Sequence, residues 1–238
     1  MKPSPTDTIL RELLADPAFR GMADAIPVDD DDPTTPAPAK VGDRLRLDQV
    51  KLSHRRRNAR QVMRDGRGAA NAAAVIGRLP KPGEVFHIVT DGSYTGAEVI
   101  PAIITLAGAP ATEVIVSTLS FSRDNVDLLA RLLRERQIRR LVLLANIYFR
   151  RTAGNEAIYT YAEQELDPTR ATLLSPRVHA KITLLRTTNG RHIVIEGSAN
   201  LRSCLSVEQL TITDDASTYR FHRRWLMHVA RITQEATA

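Results

Sequence analysis

The chain has 238 residues, 43% hydrophobic and 25% charged, which are the proportions of an ordinary globular protein. No apolar run reaches the length of a membrane span, the first residues lack the apolar core of a secretory signal, and the single cysteine, Cys204, excludes an intramolecular disulfide; together these predict a cytoplasmic protein with no membrane partner. The net charge of +6 is uneven: residues 1–40 carry four Lys/Arg against eight Asp/Glu, and residues 41–80 carry ten against three. A basic block beside a near-neutral body calls for an anionic partner, most commonly nucleic acid, although such a block also reads as a solvated helix face.

Three regions follow in chain order. Residues 1–40 hold a short amphipathic stretch with Ile9, Leu10, Leu13 and Leu14 on one side, then the acidic, proline-rich PVDDDDPTTPAPAK, read as a linker. Its acidic run is either simply solvated or a phosphate mimic that folds back on the basic block. Residues 41–80 read as a basic helical segment: Ser53 is a candidate cap for a helix carrying Arg55, Arg56, Arg57, Arg60 and Arg64. Guanidinium forks suit phosphate, so these five arginines are candidate nucleic-acid ligands. AANAAAVIGRL is a second short helix ending before Pro80.

Residues 81–238 alternate strand and helix, which predicts an α/β domain with a mixed, largely parallel sheet sandwiched by helices, behind a helical or disordered N-terminal extension. EVFHIVT, ATEVIVSTLS, RRLVLLANIYF and ATLLS are the expected strands; AEVIPAIITLAG, RDNVDLLARLLRERQ behind a Ser122 cap, and TAGNEAIYTYAEQEL are the expected helices. The turn DGSYTG lacks the lysine of a P-loop and the spacing of a dinucleotide fingerprint, so no nucleotide cofactor is expected; its small polar residues suit a groove wall. VEQLTITDD and a last helix, STYRFHRRWLMHVARIT with a stripe of Phe221, Trp225, Val229 and Ile232, close the domain. No Cys/His constellation has zinc-ligand spacing, so no metal is expected.

VHAKITLL and RHIVIEG flank Asn189-Gly190, a strong hairpin signal because both positions tolerate positive φ. With a two-residue loop, Thr188 pairs with Arg191, His179 faces Asn200, Lys181 faces Ser198, and Glu196 joins the same face opposite Thr183. A β-bulge would shift this register by one. An imidazole, an ammonium, a hydroxyl and a carboxamide on one face can act on a phosphoryl group.

His179-Ala180-Lys181 followed by Gly197-Ser198-Ala199-Asn200 resembles the HxK…GSxN signature of the phospholipase D superfamily, and Glu208 stands where that family often places a histidine-orienting glutamate. The resemblance covers roughly residues 83–233, one family half-domain, with Arg186 in place of the family's usual Asp and a longer gap between the motifs. It implies cofactor-free and metal-independent phosphodiester cleavage, with two HxK motifs meeting across a two-fold axis. One histidine attacks phosphorus and the other protonates the leaving oxygen. Lys181, Asn200 and Ser198 would hold the non-bridging oxygens, and Glu208 would fix the tautomer of His179. A single motif per chain then implies a homodimer. A nuclease acting on DNA or RNA is the expectation, against a non-catalytic nucleic-acid binder on the same fold or a phospholipid phosphodiesterase.

Overall fold

The computed structural model describes residues 60–67, 71–202 and 206–237. The candidate ligands Arg55, Arg56 and Arg57, the segment 1–40 and Cys204 lie outside the described residues. Eight strands form one sheet: β1 (Arg60–Asp65), β2 (Glu84–Thr90), β3 (Ala111–Thr118), β4 (Leu141–Ala145), β5 (Ala171–Leu174), β6 (Ile182–Thr187), β7 (His192–Gly197) and β8 (Glu208–Asp214), in the order β1-β2-β8-β7-β6-β3-β4-β5. β6 and β8 run against the other six strands, so the central pairings are antiparallel and the two flanks are parallel. The helices are α1 (Ala72–Ile76), α2 (Val99–Ala107), α3 (Arg123–Arg134), α4 (Ile147–Arg151), α5 (Glu156–Glu165) and α6 (Ala216–Thr237).

The sheet is covered on both faces, which is why β4 reads as a continuous apolar run, LVLLA, with every residue buried. Helices α1 to α5 contribute Ile76, Ile100, Leu129, Phe149 and Tyr159 to a core over Val114, Val116, Leu141, Leu143 and Ile195. On the other face α6 lays Tyr219, Leu226, Val229 and Ala230 over Ile115, Val142, Leu144, Leu184 and Val194. Ser122 caps α3 with a reciprocal capping box to Asn125. The sequence-predicted stripe on the last helix is displaced. Its buried seam runs through Tyr219, His222, Leu226 and Val229, while Phe221, Trp225 and Ile232 are half-buried. The cause is polar: Tyr219 donates to Glu113 on β3 at 2.9 Å, and His222 meets Glu196 on β7 at 3.2 Å, which rotates those residues inward.

Three further expectations change. Residues 60–65 form a strand, not a helix, so the sheet begins inside the segment read as basic and helical. Pairing with the open edge of β2 overrides the four-residue arginine spacing. Arg64 lies 4.5 Å over the Phe86 ring and donates to the Val75 carbonyl at 3.2 Å. The strand predicted over 139–149 stops at Ala145, because the Asn146 side chain accepts the Tyr148 N–H at 2.8 Å and starts α4. The hairpin loop has three residues, Thr188, Asn189 and Gly190, with Thr187 bonded to Arg191; Gly190 sits at φ 87°, the left-handed position of a bulged turn. Every pair therefore moves by one: Glu196 faces Ile182 and points to α6 with His222, away from the side expected.

The best-buried ion pair ties α6 to the sheet. Glu113 is 3% exposed and accepts from Arg223 at 2.6 and 3.0 Å and from Tyr219. Burial raises its pKa, but the Arg223 and Tyr219 hydrogen bonds and the positive field of Arg223 and Arg186 outweigh this, so it ends below its ordinary value of 4.5. At the other end of the sheet, hydrogen bonds from Arg78 and the Lys81 N–H hold Glu84 at about 2. Depressed carboxylates stabilise the fold above the unfolded value and lose that contribution as pH falls through the folded one. The urea midpoint should therefore drop between about pH 4.5 and 2. Glu113→Gln should cost about 1–3 kcal/mol at pH 7 and make the acid drop shallower. A Gln variant with the acid slope of the parent would refute the assignment.

Candidate active site

One edge of the sheet gathers the C-terminal ends of β2, β3, β4 and β7 and the starts of β6 and β8. His179 and Lys181 lie there in an irregular segment just before β6 rather than on the strand itself. Two side chains grip the backbone of that segment. Asn146, after β4, donates its Nδ2 to the Val178 carbonyl, and Ser117, near the end of β3, donates its hydroxyl to the Ala180 carbonyl at 2.8 Å. Anchored on both sides, the segment presents His179 and Lys181 together. Lys181 Nζ is 3.0 Å from His179 Nδ1 and 3.4 Å from Nε2, and it donates to the His179 carbonyl at 3.1 Å. His179 is exposed and Lys181 half-buried.

The second motif leaves β7 and is held by the same neighbour. Asn200 Oδ1 accepts the Leu119 N–H at 3.1 Å and lies 3.4 Å from Thr118 Oγ1, which in turn accepts the Leu201 N–H at 3.2 Å. With Oδ1 committed to a backbone donor, the Asn200 amide offers Nδ2 to the site. Consecutive residues of β3, Ser117 and Thr118, thus anchor one motif each. Neither was singled out by sequence reasoning; the available signal was a pair of hydroxyls directly after the apolar run at 114–116. Gly197 is required by close approach, since a Cβ there would collide with the Gln209 carbonyl of β8. Gly96, at the end of the DGSYTG turn, lines the same narrow cleft as Lys181 and Asn200. That cleft holds about 20 Å³, room for a water but not for a phosphoryl group, so a substrate would sit at its mouth.

Ser198 and Glu208 stand side by side. The Ser198 hydroxyl donates to the Glu208 carboxylate and accepts the Gln209 N–H at 3.1 Å. This differs from the expectation that Glu208 bonds the far nitrogen of His179: the described partner of Glu208 is Ser198, and the described partner of the ring is Lys181. Glu208 nevertheless acts on Lys181 electrostatically. Burial lowers the Lys181 pKa below its ordinary value, and the field of Glu208 opposes that shift. The strand pairings expected between His179 and Asn200, and between Lys181 and Ser198, are not formed, because both motifs lie outside the β6–β7 ladder. The motifs still converge: the Gly197 N–H donates to the Lys181 carbonyl at 3.3 Å, and Lys181 and Asn200 share one cleft.

Arg186, at the position where the resembled motif has Asp, has a local counterpart. Arg186 on β6 pairs with Glu113 on β3 and bonds Thr112 at 3.1 Å, so an opposite charge stands directly across the ladder. Of the candidate nucleic-acid ligands, Arg60 is 79% exposed at the sheet edge, and Arg64 is folded over Phe86. Among the described residues no three His, Cys, Asp or Glu side chains come together as a metal site. No helix among them is long and apolar enough to cross a membrane.

No family model matches the chain, and no curated protein matches it. Among solved structures, its fold is similar to that of Nuc from Salmonella typhimurium, a phospholipase D family member, at 13% identity and a TM-score of 0.40, over 59% of this chain and 93% of that one. It is also similar to the yeast tyrosyl-DNA phosphodiesterase, at 13% identity and a TM-score of 0.27, over 43% of this chain and only 25% of the other.

Proposed function

We propose that the chain is a metal-independent phosphodiesterase acting on DNA or RNA, with His179 from each of two subunits in a homodimeric active site. The observation that carries this reading is the convergence of His179, Lys181, Ser198, Asn200 and Glu208 at one sheet edge, with the backbone of each motif clamped by β3. An imidazole beside an ammonium and a carboxamide donor is suited to a phosphoryl group, whose non-bridging oxygens need cations and N–H donors as charge builds in the transition state. The resemblance of HxK…GSxN to the phospholipase D superfamily points to the same chemistry.

The proposed step uses two imidazoles in different protonation states. One His179 Nε2 attacks phosphorus, the P–N bond forms, and the P–O bond to the leaving group breaks. The partner's His179, as imidazolium, gives its proton to the departing oxygen. Water then attacks the phosphohistidine, the partner imidazole takes its proton, and the P–N bond breaks. A phosphate entering above Lys181 would draw the ammonium to its oxygens and release Nδ1. The homodimer is supported by the exposed edge itself: His179 is open there, and Val207 beside Glu208 and Tyr148 on α4 leave 68% and 65% of their surface uncovered. The basic segment 41–80 supports a polyanionic substrate.

Three results test this reading. Cleavage of an oligonucleotide in EDTA should fall about 10²–10⁴-fold in His179→Ala, with binding retained; cleavage equal to the parent would sink it. Asn200→Asp keeps the Oδ1 acceptor for Leu119 but sets an anion against phosphate, so kcat/KM should drop at least about tenfold with the urea midpoint unchanged. Glu208→Gln removes the field that opposes the downward shift of Lys181, so the alkaline limb of the pH–rate profile should move to lower pH. A limb that stays put or moves up would remove Lys181 from the mechanism. Sedimentation of the parent as a monomer at assay concentration would remove the two-histidine scheme.

A further inference from the structure

The final helix carries a charge pattern that the candidate site does not use. Between Asp215 and Glu235 it has four arginines, two histidines and no carboxylate. Arg223 turns inward to Glu113, and Arg231 pairs with Glu235 at 2.8 Å. Arg220 and Arg224, one turn apart and exposed, form no ion pair or hydrogen bond among the described residues. The strands beneath add to the imbalance. Arg186 on β6 lies across from Glu113, and Arg140, exposed just before β4, passes its carbonyl to the Val114 N–H; strand alternation places it on the α6 side with Val142 and Leu144.

Among the described residues, every carboxylate on this side already has a partner. Glu113 takes Arg223 and Tyr219, Glu196 takes His222, Asp214 takes Arg191, and Asp215 accepts from Ser217 and Thr218. One buried carboxylate therefore faces both Arg186 and Arg223, and Arg140 has no carboxylate partner among the described residues. Exposed, like-charged arginines repel one another and the fold gains nothing from them, whereas they are suited to a ligand with regularly spaced negative charges. The helix also leads toward the candidate site. Its second half, through Leu226, Val229 and Ala230, packs with Leu144, Leu174 and Val178, and Val178 directly precedes His179.

We infer that the outer face of α6, with Arg140, Arg186, Arg220 and Arg224, is a docking surface for the phosphodiester backbone of nucleic acid and feeds it toward the His179 edge. The route to His179 rests on the phosphodiesterase reading; the binding surface does not. Backbone contacts of this kind neutralise phosphates without reading bases, so sequence preference is not expected from this face.

Fluorescence anisotropy of the full chain with labelled single-stranded and duplex oligonucleotides in EDTA, across a salt series, tests it. The Arg220→Gln/Arg224→Gln double variant should bind roughly tenfold more weakly at about 100 mM salt. Its slope of log K against log salt should shrink by about 1.4 for single strands or 1.8 for duplex. Turnover of bis(p-nitrophenyl) phosphate, too small to reach α6, should equal the parent's. An unchanged slope overturns the inference, as does a matching loss of binding to vesicles of anionic phospholipid or a shift in oligomeric state with nucleic-acid affinity intact. His179→Ala separates the two readings: it should keep the full salt slope, so a failure of cleavage bears on the catalytic proposal and a failure of the slope to change bears on this one.

Discussion

Two hydroxyls at the end of β3 hold the two halves of the candidate site against one another. Ser117 bonds the carbonyl between His179 and Lys181, and Thr118 bonds the turn that carries Asn200. Their neighbour relations follow from topology. β3 lies next to β6, and β6 next to β7, so the segment entering β6 and the segment leaving β7 emerge at the same edge as the end of β3. Ser117 and Thr118 are nearly fully buried, which makes these hydrogen bonds obligatory: an unpaired hydroxyl or carbonyl there would cost about 1–3 kcal/mol. Position at the site is thus maintained by polar groups that cannot afford to let go.

The electrostatics divide by location. At the site edge the field of a carboxylate opposes the effect of burial on a half-buried ammonium, while a hydroxyl bonds that carboxylate. On the α6 face a buried carboxylate is saturated by one bidentate guanidinium and a phenol, leaving Arg220 and Arg224 without a counter-charge among the described residues. The first arrangement holds a cation ready for an anionic group in a confined place. The second spreads cations over an open face, where each is worth little to the fold but several together attract a polyanion.

Local patterning was enough for most of the body. EVFHIVT is β2 residue for residue, the Ser122 capping box begins α3, and short apolar runs between helical periodicities became a mixed sheet covered on both sides. Where local reasoning failed, a long-range partner decided the outcome. Arginine spacing argued for a helix over 60–64, but the open edge of β2 took those residues as a strand. Asn189-Gly190 argued for a two-residue loop, but Gly190 closed a three-residue one. Because side chains alternate with period two, that single step turned Glu196 to the opposite face.

By itself the sequence determined which chemical groups are present and that they come in two motifs on either side of a hairpin, since motif identity and turn chemistry are local properties of the chain. It also determined an α/β fold, because hydrophobic period distinguishes strand from helix within a few residues. Only the tertiary structure decided which groups touch: that Lys181 meets the His179 ring, that Glu208 meets Ser198, that Ser117 and Thr118 secure the site, and that α6 leaves Arg220 and Arg224 unmatched among the described residues. The physical reason is that hydrogen bonds and charge compensation are satisfied by whatever lies nearest in space, and, Lys181 and His179 apart, these partners lie ten to more than a hundred residues away from one another along the chain.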